Sequence, residues 1–197
     1  GIPCTMGNDV DLLQAPEVET LRSILQIIHN PLQDIPLLAA IASPVFGFCA
    51  DDLAKIRSKS RYSSIYKALI NSDHPKAKLF MAMLYELRMD ARFLTVSQLI
   101  QRVFTKTGML SIYGAMVDGD ERVQNLYSFC QIAAEYETTG RKDLSYFLEH
   151  LEAMEEKQVT IDGVTRKLEE PFLLLLPRIQ LRHREHFHCR KPNWIVF

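Results

Sequence analysis

No Cys-x-x-Cys pair occurs in the sequence. Cys4, Cys49, Cys130 and Cys189 lie far apart, a distribution that argues against a disulfide framework and suits a reduced interior, so we read the four as packing residues. Long hydrophobic runs are missing too: Phe172 to Leu176 is far shorter than the roughly twenty residues a bilayer-spanning helix needs. Gly1 does not open a charged-then-apolar secretory signal, and the expectation is a soluble, cytoplasmic protein with no membrane contact. Charge of one sign is also absent, with 23 Lys and Arg against 24 acidic residues, so any contact with nucleic acid has to be local. None of the 8 glycines begins a Gly-x-x-x-x-Gly-Lys-Ser/Thr loop, the backbone cradle that binds the phosphates of ATP. No Gly-x-Ser-x-Gly elbow presents a nucleophile. With a single tryptophan and tyrosines at irregular spacing, the sequence offers no regular platform for stacking bases.

What is present is helical punctuation. Pro16 suits a first helical turn; Val18, Leu21, Leu25 and Ile28 follow at helical spacing until Asn30-Pro31. Asp34 is placed to cap a short helix over Ile35 to Ala42, which Ser43-Pro44 ends. Asp51 and Asp52 favour a helix start leading into Leu53 to Arg57, and Ser63 to Asn71 offers another short helix. From Pro75 to about Asp90, Leu79, Phe80, Met83, Leu84 and Leu87 predict a broad apolar face on a central helix. Thr95 and Gln98 have capping-box spacing, and Gly108 stands where a left-handed C-cap is wanted, predicting a helix over Val96 to Thr107. Asp118-Gly119-Asp120 marks a turn before a helix running to about Glu137 with Val123, Leu126, Tyr127, Cys130 and Ala134 on one face. Gly140 breaks the chain, Asp143 can cap, and Leu144, Phe147, Leu148, Leu151 and Met154 form the cleanest stripe. The fold class expected is therefore all-α, an irregular bundle of six or more helices over residues 1 to 157.

After Lys157 the pattern changes. Val159 to Thr165 alternates around Asp162-Gly163, a hairpin signal, followed by an apolar run and a basic tail, so residues 158 to 197 are treated as a separate, divergent or truncated segment. In that tail Arg182, His183, Arg184, His186, His188, Cys189, Arg190 and Lys191 combine zinc-ligand chemistry with cations that suit phosphate, but their spacing fits no standard zinc module, and no metal site is assigned. Asp120-Glu121 follows a glycine turn rather than a buried strand and reads as a helix start, not a magnesium site. The adjacent pairs Glu155-Glu156 and Glu169-Glu170 point apart on a helix and read as solvated. Lys55, Arg57, Lys59 and Arg61, interleaved with serines, are the candidate DNA-backbone contacts, weighed against a solvated helix end. No residue is assigned a catalytic role, and no cofactor is expected in this chain.

The run Ile27-Ile28-His29-Asn30-Pro31-Leu32-Gln33-Asp34-Ile35-Pro36, continuing through Leu37 to Ala42, Ser43-Pro44 and Gly47-Phe48, closely resembles a sequence of the AddA/RexA family, the UvrD-like superfamily 1 helicases of the bacterial ATP-dependent helicase/nuclease. In that family it opens an accessory region inserted in the second motor domain. Gly1-Ile2-Pro3 and Val18-Glu19-Thr20-Leu21 extend the resemblance upstream. Downstream it takes in Thr107-Gly108, Tyr113-Gly114-Ala115-Met116, Gly119, Arg122, Gln124-Asn125-Leu126 and Tyr136-Glu137. Two positions depart from it: His29 stands where that family usually has Asp, and Ala42 where it usually has Arg. The resemblance implies a helical, 2B-like subdomain that guides duplex or forked DNA, or contacts a second helicase/nuclease subunit. The parent it implies unwinds DNA 3′ to 5′ with ATP and magnesium and processes double-strand breaks for recombination. The alternative is a stand-alone helical interaction module or gene fragment, and more distantly a small metalloenzyme built on the tail.

Overall fold

The structure is a computed structural model that describes residues 12–58, 63–140 and 143–156. The chain divides into two units, Gly1–Arg166 and Lys167–Phe197, and all the described residues belong to the first. The expected boundary after Lys157, the hairpin signal at Val159 to Thr165 and the basic tail lie outside the described residues.

Among the described residues the only regular structure is helical: a 3-10 turn at Leu12–Gln14, then α1 (Pro16–His29), α2 (Asp34–Ala42), α3 (Ala50–Ser58), α4 (Ile65–Ile70), α5 (Pro75–Asp90), α6 (Val96–Thr107), α7 (Met109–Gly114), α8 (Gly119–Glu137) and α9 (Leu144–Glu156). This is the all-α, irregular bundle expected. Boundaries fall where local chemistry puts them. Pro16 and Pro75 occupy first turns, where a missing N–H costs nothing. Gly108 takes φ +67 and its N–H closes α6 onto the Phe104 carbonyl at 3.0 Å. The Thr95 N–H donates to Gln98 Oε1 at 3.1 Å, the expected reciprocal arm of the capping box. Asp143 Oδ1 accepts the Ser145 N–H at 3.0 Å at the start of α9.

Packing departs from the expectation in three places. The central elements are α1 and α8. Helix α1 is buried around most of its circumference, from Val18 and Leu21 to Ile24, Leu25, Ile27 and Ile28, and packs against α2, α5, α8 and α9. Helix α8 buries Leu126, Phe129, Cys130, Ile132, Ala133 and Tyr136 while covering α1, α6 and α7. Helix α5, expected at the centre, instead lies against α1, α4 and α6 through the narrower stripe Ala77, Phe80, Leu84 and Leu87. Leu79, expected on that face, is 73% exposed. A strip defined only by apolar letters is wider than the strip a neighbouring helix covers.

The third departure concerns Asp34. Its carboxylate does not cap its own helix: Oδ1 accepts the Ile65 N–H at 3.0 Å, closing the first turn of α4 from the first turn of α2. The cysteines also separate. Cys130 is buried as expected of a packing residue, whereas Cys49 is exposed; Cys4 and Cys189 lie outside the described residues. Aromatic edges complete the core, with Phe129 and Phe147 at 5.9 Å and Tyr136 and Phe147 at 5.4 Å between ring centroids joining α8 to α9.

Candidate functional site

The basic stretch anticipated from the sequence is only partly described. Lys55 and Arg57 occupy the last turn of α3 and are exposed, while Lys59 and Arg61 lie outside the described residues. Residues two apart on a helix differ by about 200° in direction. Lys55 and Arg57 therefore leave α3 on opposite sides, and the alternation that looks like a stripe in the sequence is not one on the helix. Arg57 Nη1 is also engaged, donating to the Ser63 carbonyl across the connection to α4.

A second cluster ties the α2–α3 loop to the start of α5. Asp52 Oδ2 accepts from Lys76 Nζ at 2.7 Å and from the Cys49 N–H at 3.2 Å, and His74 Nε2 approaches Asp52 Oδ1 at 3.3 Å. Lys76 Nζ also donates to the Gly47 carbonyl at 2.9 Å and stands 5.8 Å from the Phe48 ring centroid. The Lys76 hydrogen bond is the main reason the Asp52 carboxyl is held far below the ordinary carboxylate range, with the Cys49 N–H adding to it. Reciprocally, Asp52 raises the Lys76 ammonium. Asp52 and Lys76 satisfy one another and the loop backbone at Cys49 and Gly47, which makes the pair a clamp on the loop, while Nδ1 of His74 is buried without a hydrogen-bond partner among the described residues.

The most buried polar cluster joins α1, α7 and α8. Glu17, 2% exposed, receives Arg122 Nη1 on Oε2 at 2.7 Å and Asn125 Nδ2 on Oε1 at 2.8 Å. Arg122 Nε donates to the Val117 carbonyl at 3.0 Å, so its planar fork bridges helix and turn. One turn along α1, Thr20 accepts from the Tyr113 hydroxyl at 2.9 Å and donates to the Pro16 carbonyl at 2.8 Å. Burial pushes the Tyr113 phenol up, so it stays a neutral donor. Glu137, at the end of α8, accepts the Ser97 N–H at 2.7 Å and caps α6. Every residue here has an internal partner and a structural task.

The remaining feature is a groove of about 930 Å³ between the C-terminal half of α5, the α5–α6 connection, α4 and the end of α1. It is lined by Tyr66, Tyr85 and Phe93 together with Arg88 and Arg92. The linear sequence shows no spaced aromatic platform because the signal is divided: Tyr85, Arg88 and Met89 recur at helical spacing on one flank of α5, while Arg92 and Phe93 come from the connection after it and Tyr66 from α4. Burial fixes the Cys130 thiol in its neutral form, pushing it up to about 12, so it offers no nucleophile. Asp120 and Glu121 are exposed on the first turn of α8. Glu155 pairs with Arg22 of α1 rather than standing solvated. Among the described residues no group of three or more His, Cys, Asp or Glu could hold a metal ion, and no helix is long and apolar enough to cross a membrane. The His-rich tail lies outside the described residues.

Fold and site thus define a helical domain whose polar interior is devoted to its own architecture and whose distinctive surface is an aromatic and basic groove. The sequence identifies its relatives. The chain is 36% identical over 179 residues to the AddA subunit of the ATP-dependent helicase/nuclease of Oceanobacillus iheyensis, covering 86% of this chain and 14% of that protein. The corresponding protein of Limosilactobacillus reuteri is 34% identical over 177 residues, covering 79% of this chain and 13% of the relative. That of Ruminiclostridium cellulolyticum is 34% identical over 159 residues, with 78% and 13% covered. No protein-family profile matches the chain. This chain is homologous to one segment of the AddA family of ATP-dependent helicase/nuclease subunits and spans about a seventh of the length of the relatives it matches. Residues that carry the resemblance hold the helices together: Tyr113, Arg122 and Asn125 build the Glu17 cluster, and Glu137 caps α6. The two departures differ in setting, with His29 lining the aromatic groove and Ala42 exposed at the end of α2.

Proposed function

We propose that this chain is an accessory, non-catalytic segment of an ATP-dependent 3′ to 5′ DNA helicase and exonuclease subunit, guiding duplex or forked DNA or contacting a partner subunit during double-strand break processing in the cytoplasm. ATP, magnesium and the motor chemistry belong to the parent and not to this chain. The observation that carries the reading is how the shared residues are used. In a segment homologous to a helicase/nuclease subunit, Arg122, Asn125, Tyr113 and Glu137 are consumed in holding helices to one another, which is the work of a scaffold. Exposed cations such as Lys55 are then the groups left to meet a phosphate backbone.

The test is titration of the full chain with a labelled forked duplex and, separately, with the partner subunit. Binding of the fork should weaken with salt, and Lys55→Gln should lower the log-log slope by about 1, the loss of one phosphate contact. A chain that binds neither fork nor partner subunit overturns the proposal. A second reading, a stand-alone helical interaction module, is favoured by the large apolar side chains left exposed, among them Ile35, Leu79 and Val117. Motor motifs encoded in frame beside this segment support the first reading, and a free-standing gene supports the second.

A further inference from the structure

Helix α5 spends Ala77, Phe80, Leu84 and Leu87 on the core. The flank beside that stripe carries Tyr85, Arg88 and Met89, and the connection beyond the helix adds Arg92 and Phe93. Tyr85 is 67% and Phe93 83% exposed, yet both line one groove, faced by Tyr66 from α4. On the neighbouring surface the cations are neutralised: Arg102 Nε pairs with Asp90 Oδ2 at 2.8 Å, and Lys106 pairs with Glu86. Arg88 and Arg92 have no acidic partner among the described residues. One carboxylate lines the groove, Asp143, whose Oδ1 accepts from both the N–H and the hydroxyl of Ser145.

We propose that this groove binds single-stranded nucleic acid, with unpaired bases stacking on Tyr85, Phe93 and Tyr66 and the guanidiniums of Arg88 and Arg92 meeting the phosphates. The inference rests on the proposed role in contacting DNA and names the form of the polymer that this surface takes. Flat, exposed rings gain from a ligand that offers aromatic faces, and only an unpaired strand offers them, because a duplex keeps its bases stacked inside. Unpaired guanidiniums in the same groove need an anion spaced along the ligand, which the phosphates supply. An apolar protein surface would bury those two charges uncompensated, at a desolvation cost.

The experiment is fluorescence anisotropy of the full chain with a short oligothymidylate and with the forked duplex. Tyr85→Ala and Phe93→Ala should each weaken oligothymidylate binding by roughly 5- to 150-fold at every salt concentration, the loss of about 1–3 kcal/mol of stacking, with the salt slope unchanged. Joint replacement Arg88→Gln and Arg92→Gln should lower the slope by about 1.4, at about 0.7 per phosphate. Because Tyr85 and Phe93 are exposed, these variants should melt with the parent chain, which circular dichroism checks. Failure of the intact chain to bind oligothymidylate, or binding indifferent to Tyr85 and Phe93, overturns the inference. A chain that ignores oligothymidylate but changes its sedimentation on Phe93→Ala assigns the groove to protein contact, which also overturns it. Fork binding that survives either result leaves the accessory role standing. Oligothymidylate binding without fork or partner binding removes that role and keeps the groove.

Discussion

Arg122 reaches back across 105 residues of chain to place Nη1 2.7 Å from Glu17 Oε2, and Glu17 is almost wholly shielded from water. A carboxylate so placed is tolerable only while both of its oxygens are occupied, and Asn125 takes the other. Glu17→Ala should therefore cost about 2–4 kcal/mol in urea unfolding, the range for breaking a buried pair reduced because Arg122 keeps some contact with solvent. Arg122→Ala combined with Glu17→Ala should cost less than the sum of the two single changes, and a double-mutant cycle measures the difference.

The turn before α8 depends on backbone approaching backbone. A Cβ on Gly119 would collide with the Gly114 carbonyl oxygen and lie 2.7 Å from its carbon, and neither atom belongs to a side chain that can rotate away. Gly119→Ala should shift α7 from α8 and lower the denaturation midpoint strongly, by about 2 kcal/mol or more. Gly108→Ala makes a useful contrast. Its φ of +67 is strained for alanine but a Cβ there meets nothing within 4 Å, so the cost should be near 1 kcal/mol. Reversal of that order in equilibrium unfolding would contradict the close approach.

Because Asp34 takes the Ile65 N–H beside the Ser64 cap of α4, and not a donor of its own helix, Asp34→Ala should fray α4 while leaving α2 intact. The expected cost is about 0.5–2 kcal/mol, the usual range for losing an N-terminal cap. Hydrogen exchange distinguishes the cases: faster exchange at Ile65 supports the contact across a sequence separation of 31, and faster exchange confined to α2 refutes it.

The Asp52 clamp makes a pH dependence with a definite sign. The folded carboxyl is held below its ordinary value of 3.8, so its contribution to stability is complete above that value and is lost as pH falls below it. Lys76 is raised above 10.5, so its share is complete at lower pH and is lost as pH rises past that point. Asp52→Asn should flatten the acid limb of the stability curve relative to the unsubstituted chain, and thermal melts between about pH 2 and pH 6 measure it.

Much of the helical order was legible because helix ends are local events. Pro16, Pro75, the Thr95 and Gln98 pair and Gly108 act through the backbone of their own turn, so a sequence window contains all the physics. Helix α7 escaped because a six-residue helix after a C-cap glycine has too little apolar periodicity to register. The basic stretch was legible as letters only, since its period of two does not match the turn of the helix that Lys55 and Arg57 occupy.

By itself, then, the sequence determined the all-helical class, most helix boundaries and kinship with a segment of a helicase/nuclease subunit, because those depend on neighbours within a turn or on matched residues. Only the tertiary structure decided which helices are central, which carboxylate satisfies which donor and which rings share a groove. Glu17 with Asn125, Asp34 with Ile65, and Tyr66 with Phe93 are brought together by packing across tens of residues, and the burial that gives a polar group its partner or leaves a ring exposed does not exist until the helices have docked.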